Sequence, residues 1–353
     1  MPVALWIRRL AIAGVLLCFV VVVLGAYVRL TAAGLGCPDW PGCYGKLTPS
    51  AAAQSPSAQA AYAGRPLEVG KAWHEMIHRY AVGALSTLIL ALAAIAIVTR
   101  RRRLVSLPLA LGLLATLVVQ ALLGMLTVTW KLNPPIVTLH LLFGMTTLAL
   151  MWWLLLSLPT TSWGISARQG AGRSAEGGAA SPRAAWQLAL LGLAALVVQI
   201  ALGGWTSSNY AAVACPDFPT CQGALWPHTD YAHAFTLWHG LGTDYEGGVL
   251  GHPARVAIHL THRIGALVAS TALALAALFV LRRRGLTAAR SRAWAVLAAL
   301  TLQLTIGISM VVKGFPLWLA TAHTAGAALL LLATLALLRS LTPGGHCSLR
   351  EPS

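Results

Sequence analysis

Residues 37–43 read Cys-Pro-Asp-Trp-Pro-Gly-Cys and residues 215–221 read Cys-Pro-Asp-Phe-Pro-Thr-Cys, five identities in seven positions at an offset of 178. Outward from these heptapeptides other residues fall into step. His78-Arg79 recurs as His262-Arg263 at an offset of 184, and Gln120-x3-Gly124 as Gln303-x3-Gly307 and His140 as His323, both at 183. The offset grows across the stretch between the cysteines and the first histidine, so the chain reads as two copies of one unit. Gln199-x3-Gly203 repeats the Gln/Gly pair once more, whereas the first apolar stretch keeps only Gly25. Small residues let neighbouring helices approach and a glutamine can bond across the interface, so this motif reads as bundle packing.

Each unit holds four apolar stretches, at about 10–30, 76–99, 105–129 and 136–158, then 186–206, 257–281, 293–313 and 317–338. Each is near the roughly 20 residues that cross a bilayer. The 353 residues are 58% hydrophobic and 10% charged, with mean hydropathy +0.73, which excludes a disordered chain or an ordinary soluble domain. The expected fold is an all-α integral membrane protein, its eight transmembrane helices arranged as two repeated four-helix bundles. The N-terminal half is residues 1–160 and the C-terminal half 186–340, joined by a flexible cytoplasmic linker at 161–185 and followed by a tail at 341–353, with both chain ends unstructured. Four helices per copy preserve orientation, so the halves are expected about an axis along the membrane normal. The first stretch is longer than a signal-peptide core and no A-x-A site follows it, so it is read as a membrane helix.

Lys and Arg number 25 against nine Asp and Glu, a net charge of +16. Sixteen of the 25 lie on one side: Arg8, Arg9, Arg100 to Arg103, Arg168, Arg173, Arg183, Arg282 to Arg284, Arg290, Arg292, Arg339 and Arg350. By the positive-inside rule that side is cytoplasmic and holds both termini. The basic excess therefore describes topology and attraction to lipid, and no motif points to nucleic acid. Two long loops, at about 31–75 and 207–256, face outward. The first carries Ala/Ser/Gln-rich filler at 50–61, and the second is expected to hold a short amphipathic surface helix among Trp226, Phe235, Trp238 and Tyr245.

Four histidines, His78, His140, His262 and His323, sit near the outward ends of alternate helices at similar depth. An ionisable side chain in a membrane helix usually faces the bundle interior and a partner. One imidazole pair per half is the arrangement that clamps a flat ligand, and paired imidazoles in a four-helix bundle commonly hold heme iron. Two heme-sized sites are therefore expected, one per half. Arg79 and Arg263 directly follow two of these histidines and can either snorkel to headgroups or meet a heme propionate. Glu75 stands one turn before His78, where the second half has His259. A carboxylate beside a ligand histidine can move protons, so the N-terminal half is read as the one that does chemistry. Cys37–Cys43 and Cys215–Cys221 are expected as disulfides within the outward loops, whether structural or redox-active; Cys18 and Cys347 stay unpaired and without a role.

This combination resembles the heme A synthase family, CtaA-like membrane enzymes that convert heme O to heme A. The resemblance covers nearly the whole chain and rests on GAYVRLTAAGLGCPDWPGC at 25–43, Glu75-x2-His78-Arg79, the segment around His140, His262-Arg263, His323 and the second cysteine pair. It implies that substrate heme O lies between His78 and His140, with Glu75 assisting the oxidation of the C8 methyl group to a formyl group by successive hydroxylations with water-derived oxygen. It implies a heme b cofactor between His262 and His323, a redox-active or heme-proximal Cys37–Cys43 pair and a structural Cys215–Cys221 pair. It further implies a multi-pass protein of the bacterial inner membrane with its active sites toward the outer side. Its partners would be the lipid membrane, a heme O synthase that supplies substrate and an unidentified electron acceptor, with homo-oligomerisation open.

Two features depart from the pattern. His74 adds a second imidazole one turn before His78, and the loop at 222–255 has no counterpart in the first half. Two other functions compete. A di-heme b-type electron-transfer cytochrome would use the same four histidines without needing Glu75. His74-Glu75-Met76-Ile77-His78 also fits the H-E-x-x-H signature of a membrane zinc protease, although the repeat preserves only His78 of its two histidines.

Overall fold

The computed structural model describes residues 2–102, 104–158, 182–240 and 242–342. Its helices in chain order are α1 (Pro2–Leu30), α2 (Pro49–Ala53), α3 (Pro56–Ala60), α4 (Val69–Val98), α5 (Leu107–Thr129), α6 (Pro134–Ser157), α7 (Pro182–Ser208), α8 (Tyr231–Ala234), α9 (His252–Arg282), α10 (Arg290–Val312) and α11 (Leu317–Leu341). Eight of them are long and apolar enough to cross a membrane, and no strand occurs among the described residues. Proline stands at the first or second helical position of three of these spans, α5, α6 and α9, where its missing N–H is not needed and its fixed φ suits the helix.

Most of the expected linker at 161–185 and nearly all of the tail at 341–353 lie outside the described residues, as do Arg103 and Cys347. Two boundaries differ from the sequence reading. Helix α7 starts at Pro182, which takes the last residues of the linker into the membrane helix. Helix α1 starts at Pro2 rather than near residue 10, so the N-terminus is helical. Arg8 and Arg9 do not interrupt it, because arginine is a good helix former and Arg9 lays its guanidinium over the Trp6 ring at 5.3 Å.

Helix α1 packs on α4 and α6, and α5 packs on the same two, closing a ring. Helix α7 packs likewise on α9 and α11, with α10 against both. The rings meet where α1 touches α11 and where α6 touches α7 and α11. Gly204 makes that approach possible: a Cβ there would come within 3.1 Å of Thr138 on α6. Trp152 donates its indole N–H to the Leu332 carbonyl at 2.9 Å across the same seam. The outward faces keep large apolar residues exposed, among them Leu16, Leu90, Val118, Leu191, Leu267 and Leu275, as a lipid-facing surface requires.

Both cysteine loops adopt one structure. Each contains a disulfide, a cis X-Pro bond and a residue pair in the left-handed region, Tyr44-Gly45 in one and Gln222-Gly223 in the other. Asp39 accepts the Tyr44 and Gly45 N–H groups, and Asp217 accepts those of Gln222 and Gly223. Outside these heptapeptides the loops diverge. The filler at 50–61 folds into the short helices α2 and α3. The amphipathic helix expected in the second loop is replaced by the single turn of α8, because Gly240, Gly242, Gly247 and Gly248 take positive φ and break any longer run.

The second loop crosses to the first half. Tyr245 donates its N–H to the Lys131 carbonyl at 3.1 Å and buries its ring with Leu35, Val128 and Leu132. Arg65 pairs with Asp244 at 2.8 Å and Glu246 at 3.3 Å, and Trp130 meets Trp238 edge to face. This strap accounts for the segment that the sequence left without a role.

Candidate functional site

A cavity of about 1660 Å³ opens inside the helices and is lined by all four predicted histidines, by Glu75 and by both arginines that follow a histidine. Its upper wall includes Trp40, Pro41 and Gly42 of one cysteine loop and Phe218 and Pro219 of the other. One imidazole pair faces it from each half.

Each imidazole is seated on a glycine of a neighbouring helix. A Cβ at Gly25 would lie 3.2 Å from His78, at Gly124 3.5 Å from His140, at Gly203 3.2 Å from His262 and at Gly307 2.9 Å from His323. These glycines belong to α1, α5, α7 and α10, the helices that do not carry the histidines. At Gly25, Gly203 and Gly307 the ring occupies space that a side chain would crowd, whereas at Gly124 the contact is an ordinary one. Every glutamine of the Gln-x3-Gly motif lies one turn before such a glycine. The Gln199 amide nitrogen is 3.1 Å from His262 Nδ1 and 3.0 Å from the His262 carbonyl, and that of Gln303 is 3.4 Å from a ring nitrogen of His323. The spacing by itself reads as packing; in the structure Gln199 and Gln303 touch the histidines, whereas the Gln120 amide lies against Gly144. In the α1 copy the equivalent position is Val21, so His78 lacks this contact.

The His262/His323 pair is spaced to fit an iron tetrapyrrole. Nδ1 of His78, His140 and His323 is buried without a hydrogen-bond partner. The His262 and His323 ring centres lie 6.5 Å apart. Two imidazoles binding one metal ion from opposite sides, at about 2 Å each, bring ring centres to roughly 6 Å. Among the described residues no cluster of three or more His, Cys, Asp or Glu is disposed to hold a metal ion.

Glu75 is buried and fully engaged. One carboxylate oxygen accepts the Cys37 N–H at 2.9 Å, and the other pairs with Arg79. His259, at the equivalent place in the second half, is also buried and donates from Nδ1 to the Ala211 carbonyl at 3.2 Å. His74 lies off the cavity, its ring 5.1 Å from that of Tyr27. His74 lies off the cavity that His78 lines, and Glu75, which would be the general base of an H-E-x-x-H protease, is committed to Arg79 and Cys37, so the stretch is not arranged around that cavity as a zinc-protease site.

The two arginines, expected at propionates or headgroups, spend their donors on the cysteine loops. Arg79 bonds the carbonyls of Asp39, Pro41 and Gly42, and Arg263 those of Asp217, Pro219 and Thr220. Cys37 and Cys43 are closed as a disulfide with no exposed surface and do not line the cavity; Trp40, Pro41 and Gly42 between them do. Cys215–Cys221 is buried in the same way.

Residues 8–335 match the family COX15-CtaA, described as cytochrome oxidase assembly protein. A heme A synthase of Shewanella oneidensis is 41% identical to the chain over 93% of its length and 93% of that protein. Heme A synthases of Caulobacter vibrioides and Caulobacter sp. strain K31 are 30% and 29% identical, each over 94% of the chain and 93% of the relative.

Proposed function

We propose, from the premise that the chain belongs to the COX15-CtaA family of heme A synthases, that its two histidine pairs divide the work of one oxidation. The protein is a multi-pass oxidoreductase of the bacterial inner membrane that acts on heme O. In this reading His78 and His140 hold substrate heme O, and His262 and His323 hold a heme b cofactor. The observation that carries it is the seating of four cavity-lining imidazoles against four glycines of neighbouring helices.

Oxidation of the C8 methyl group to a formyl group with water-derived oxygen releases protons and electrons. When bound, the heme between His262 and His323 supplies one-electron transfer toward an acceptor outside the chain. Glu75, one turn from His78 on the cavity wall, accepts a proton at the oxygen that faces Arg79. The Cys37–Cys43 bridge fixes the loop whose amide holds the other oxygen, so the disulfide positions the carboxylate. Cys215–Cys221 is structural, and Arg79 and Arg263 clamp the loops over the two sites. Both termini are cytoplasmic, the sites lie toward the outer side, and a heme O synthase in the same membrane supplies substrate.

The test is reduced-minus-oxidised spectra with extracted-heme chromatography on wild type, His262→Ala and Glu75→Gln. The expected result is heme b with some heme O or heme A in wild type, loss of heme b in His262→Ala, and accumulation of heme O in Glu75→Gln. The commitment of Glu75 to Arg79 and Cys37 favours a second reading, a di-heme electron-transfer cytochrome in which Glu75 only braces the loop. Heme b in both halves and no effect of Glu75→Gln on turnover would establish that alternative.

A further inference from the structure

Arg29 ends α1 one turn beyond Gly25, the glycine beneath His78, and lines the cavity. Four helical residues advance about 6 Å, so its guanidinium stands just outward of the His78 level. Its NH2 donates to the Ser207 carbonyl of α7 at 2.6 Å, and Ser207 lies one turn beyond Gly203, the glycine beneath His262. Arg29 and Ser207 are repeat mates at the same offset of 178 as the cysteine loops. The guanidinium therefore sits on the seam between the halves. It also lies 4.1 Å over the Tyr210 ring.

Among the described residues no carboxylate lies in ion-pair contact with Arg29, and Glu246 acts on it only from a distance. Arg29 Nε is buried without a hydrogen-bond partner, and so is the Tyr210 hydroxyl beside it. A buried guanidinium with a spare N–H is costly unless an anion meets it, and a planar carboxylate is its natural mate. All three cavity arginines give donors to backbone carbonyls, but of the three only Arg29 keeps a buried N–H without a partner.

We infer that Arg29 and the Tyr210 hydroxyl form the carboxylate-binding subsite of the cavity, taking a propionate of the tetrapyrrole held by His78 and His140. The inference rests on the proposed substrate site at those two histidines. Because Arg29 also bonds α7, the contact ties substrate binding in the first half to the seam with the second.

The test titrates heme O and its propionate dimethyl ester into full-length protein that already carries heme b, following the Soret band, for wild type, Arg29→Gln, Tyr210→Phe and His78→Ala. Wild type is expected to bind the free acid roughly ten- to a hundredfold more tightly than the ester, as for loss of a charge-assisted hydrogen bond. Arg29→Gln should lose that preference while binding the ester as wild type does. Tyr210→Phe, which leaves the cation in place, should lose part of it. An Arg29→Gln protein that keeps the wild-type preference, or that weakens acid and ester equally, overturns the subsite. Absence of any His78-dependent heme O binding in wild type overturns the substrate-site reading and this inference with it, so the two failures are distinct.

Discussion

Glu75 and its neighbours define the chemistry at the residue scale. Gln at position 75 keeps an acceptor for the Cys37 N–H but cannot hold a proton, so Glu75→Gln is expected to lower turnover by about 10²–10⁴-fold, the range typical of a lost general acid–base, while heme content is retained. Gln303 tests the contact on His323 in the same spirit. Replacing it by Leu removes a polar group beside the ring and should shift the midpoint potential of the heme in the second half, read by redox titration, with little loss of heme. In the outer loop, Asp217 is held below the usual carboxylate range by the Thr220 hydroxyl and by the N–H groups of Gly223 and Gln222. A depressed pKa of this kind stabilises the loop fully above the unfolded value of about 3.9 and loses that effect as pH falls through the folded value. The Gln222 and Gly223 amides should therefore stay protected from hydrogen exchange at mildly acidic pH in wild type and exchange faster at neutral pH in Asp217→Asn.

Helices pair around the imidazoles at the scale of elements. The closest seat is Gly307 on α10, where an added methyl would meet His323 at 2.9 Å. Gly307→Ala is expected to displace the ring at a cost of about 1–3 kcal/mol, as overpacking does, and to deplete heme b in the purified protein. Gly124→Ala, with 3.5 Å to His140, should be tolerated, and pigment extraction distinguishes the two. The sequence revealed the Gln-x3-Gly motif and its recurrence but not its purpose. Periodicity says that small residues lie on a packed helix face; only the neighbouring helix says that the object packed there is an imidazole.

At the largest scale the described residues form two rings of four helices joined by one strap. Burial of the Tyr245 ring against Leu35, Val128 and Leu132 contributes about 1.5–3 kcal/mol by area, whereas the half-exposed Arg65 pairs with Asp244 and Glu246 add little beyond about 1 kcal/mol. Tyr245→Ala is thus expected to open the segment at 236–248 to limited proteolysis, and Arg65→Ala to leave it nearly as resistant as wild type. Leu132 and Val128 also line the cavity, so the strap braces its outer wall from the second half. The sequence left this loop without a role, because its anchors, Lys131 and Arg65, are remote in the chain and carry no motif that marks a partner.

The sequence by itself determined the eight apolar spans, the duplication, the four histidines, the carboxylate one turn before the first of them and the two cysteine pairs. Each of these is written in local composition or in a spacing that repeats, and the resemblance they carry led to the family. Tertiary structure decided what those residues touch. Arg79 and Arg263 turned to loop carbonyls, Glu75 to the Cys37 amide, Gln199 and Gln303 to imidazoles, and Arg29 to the seam between the halves. The physical reason is that a buried polar group must find its partner wherever the packing of helices brings one, and that packing joins residues the sequence keeps far apart.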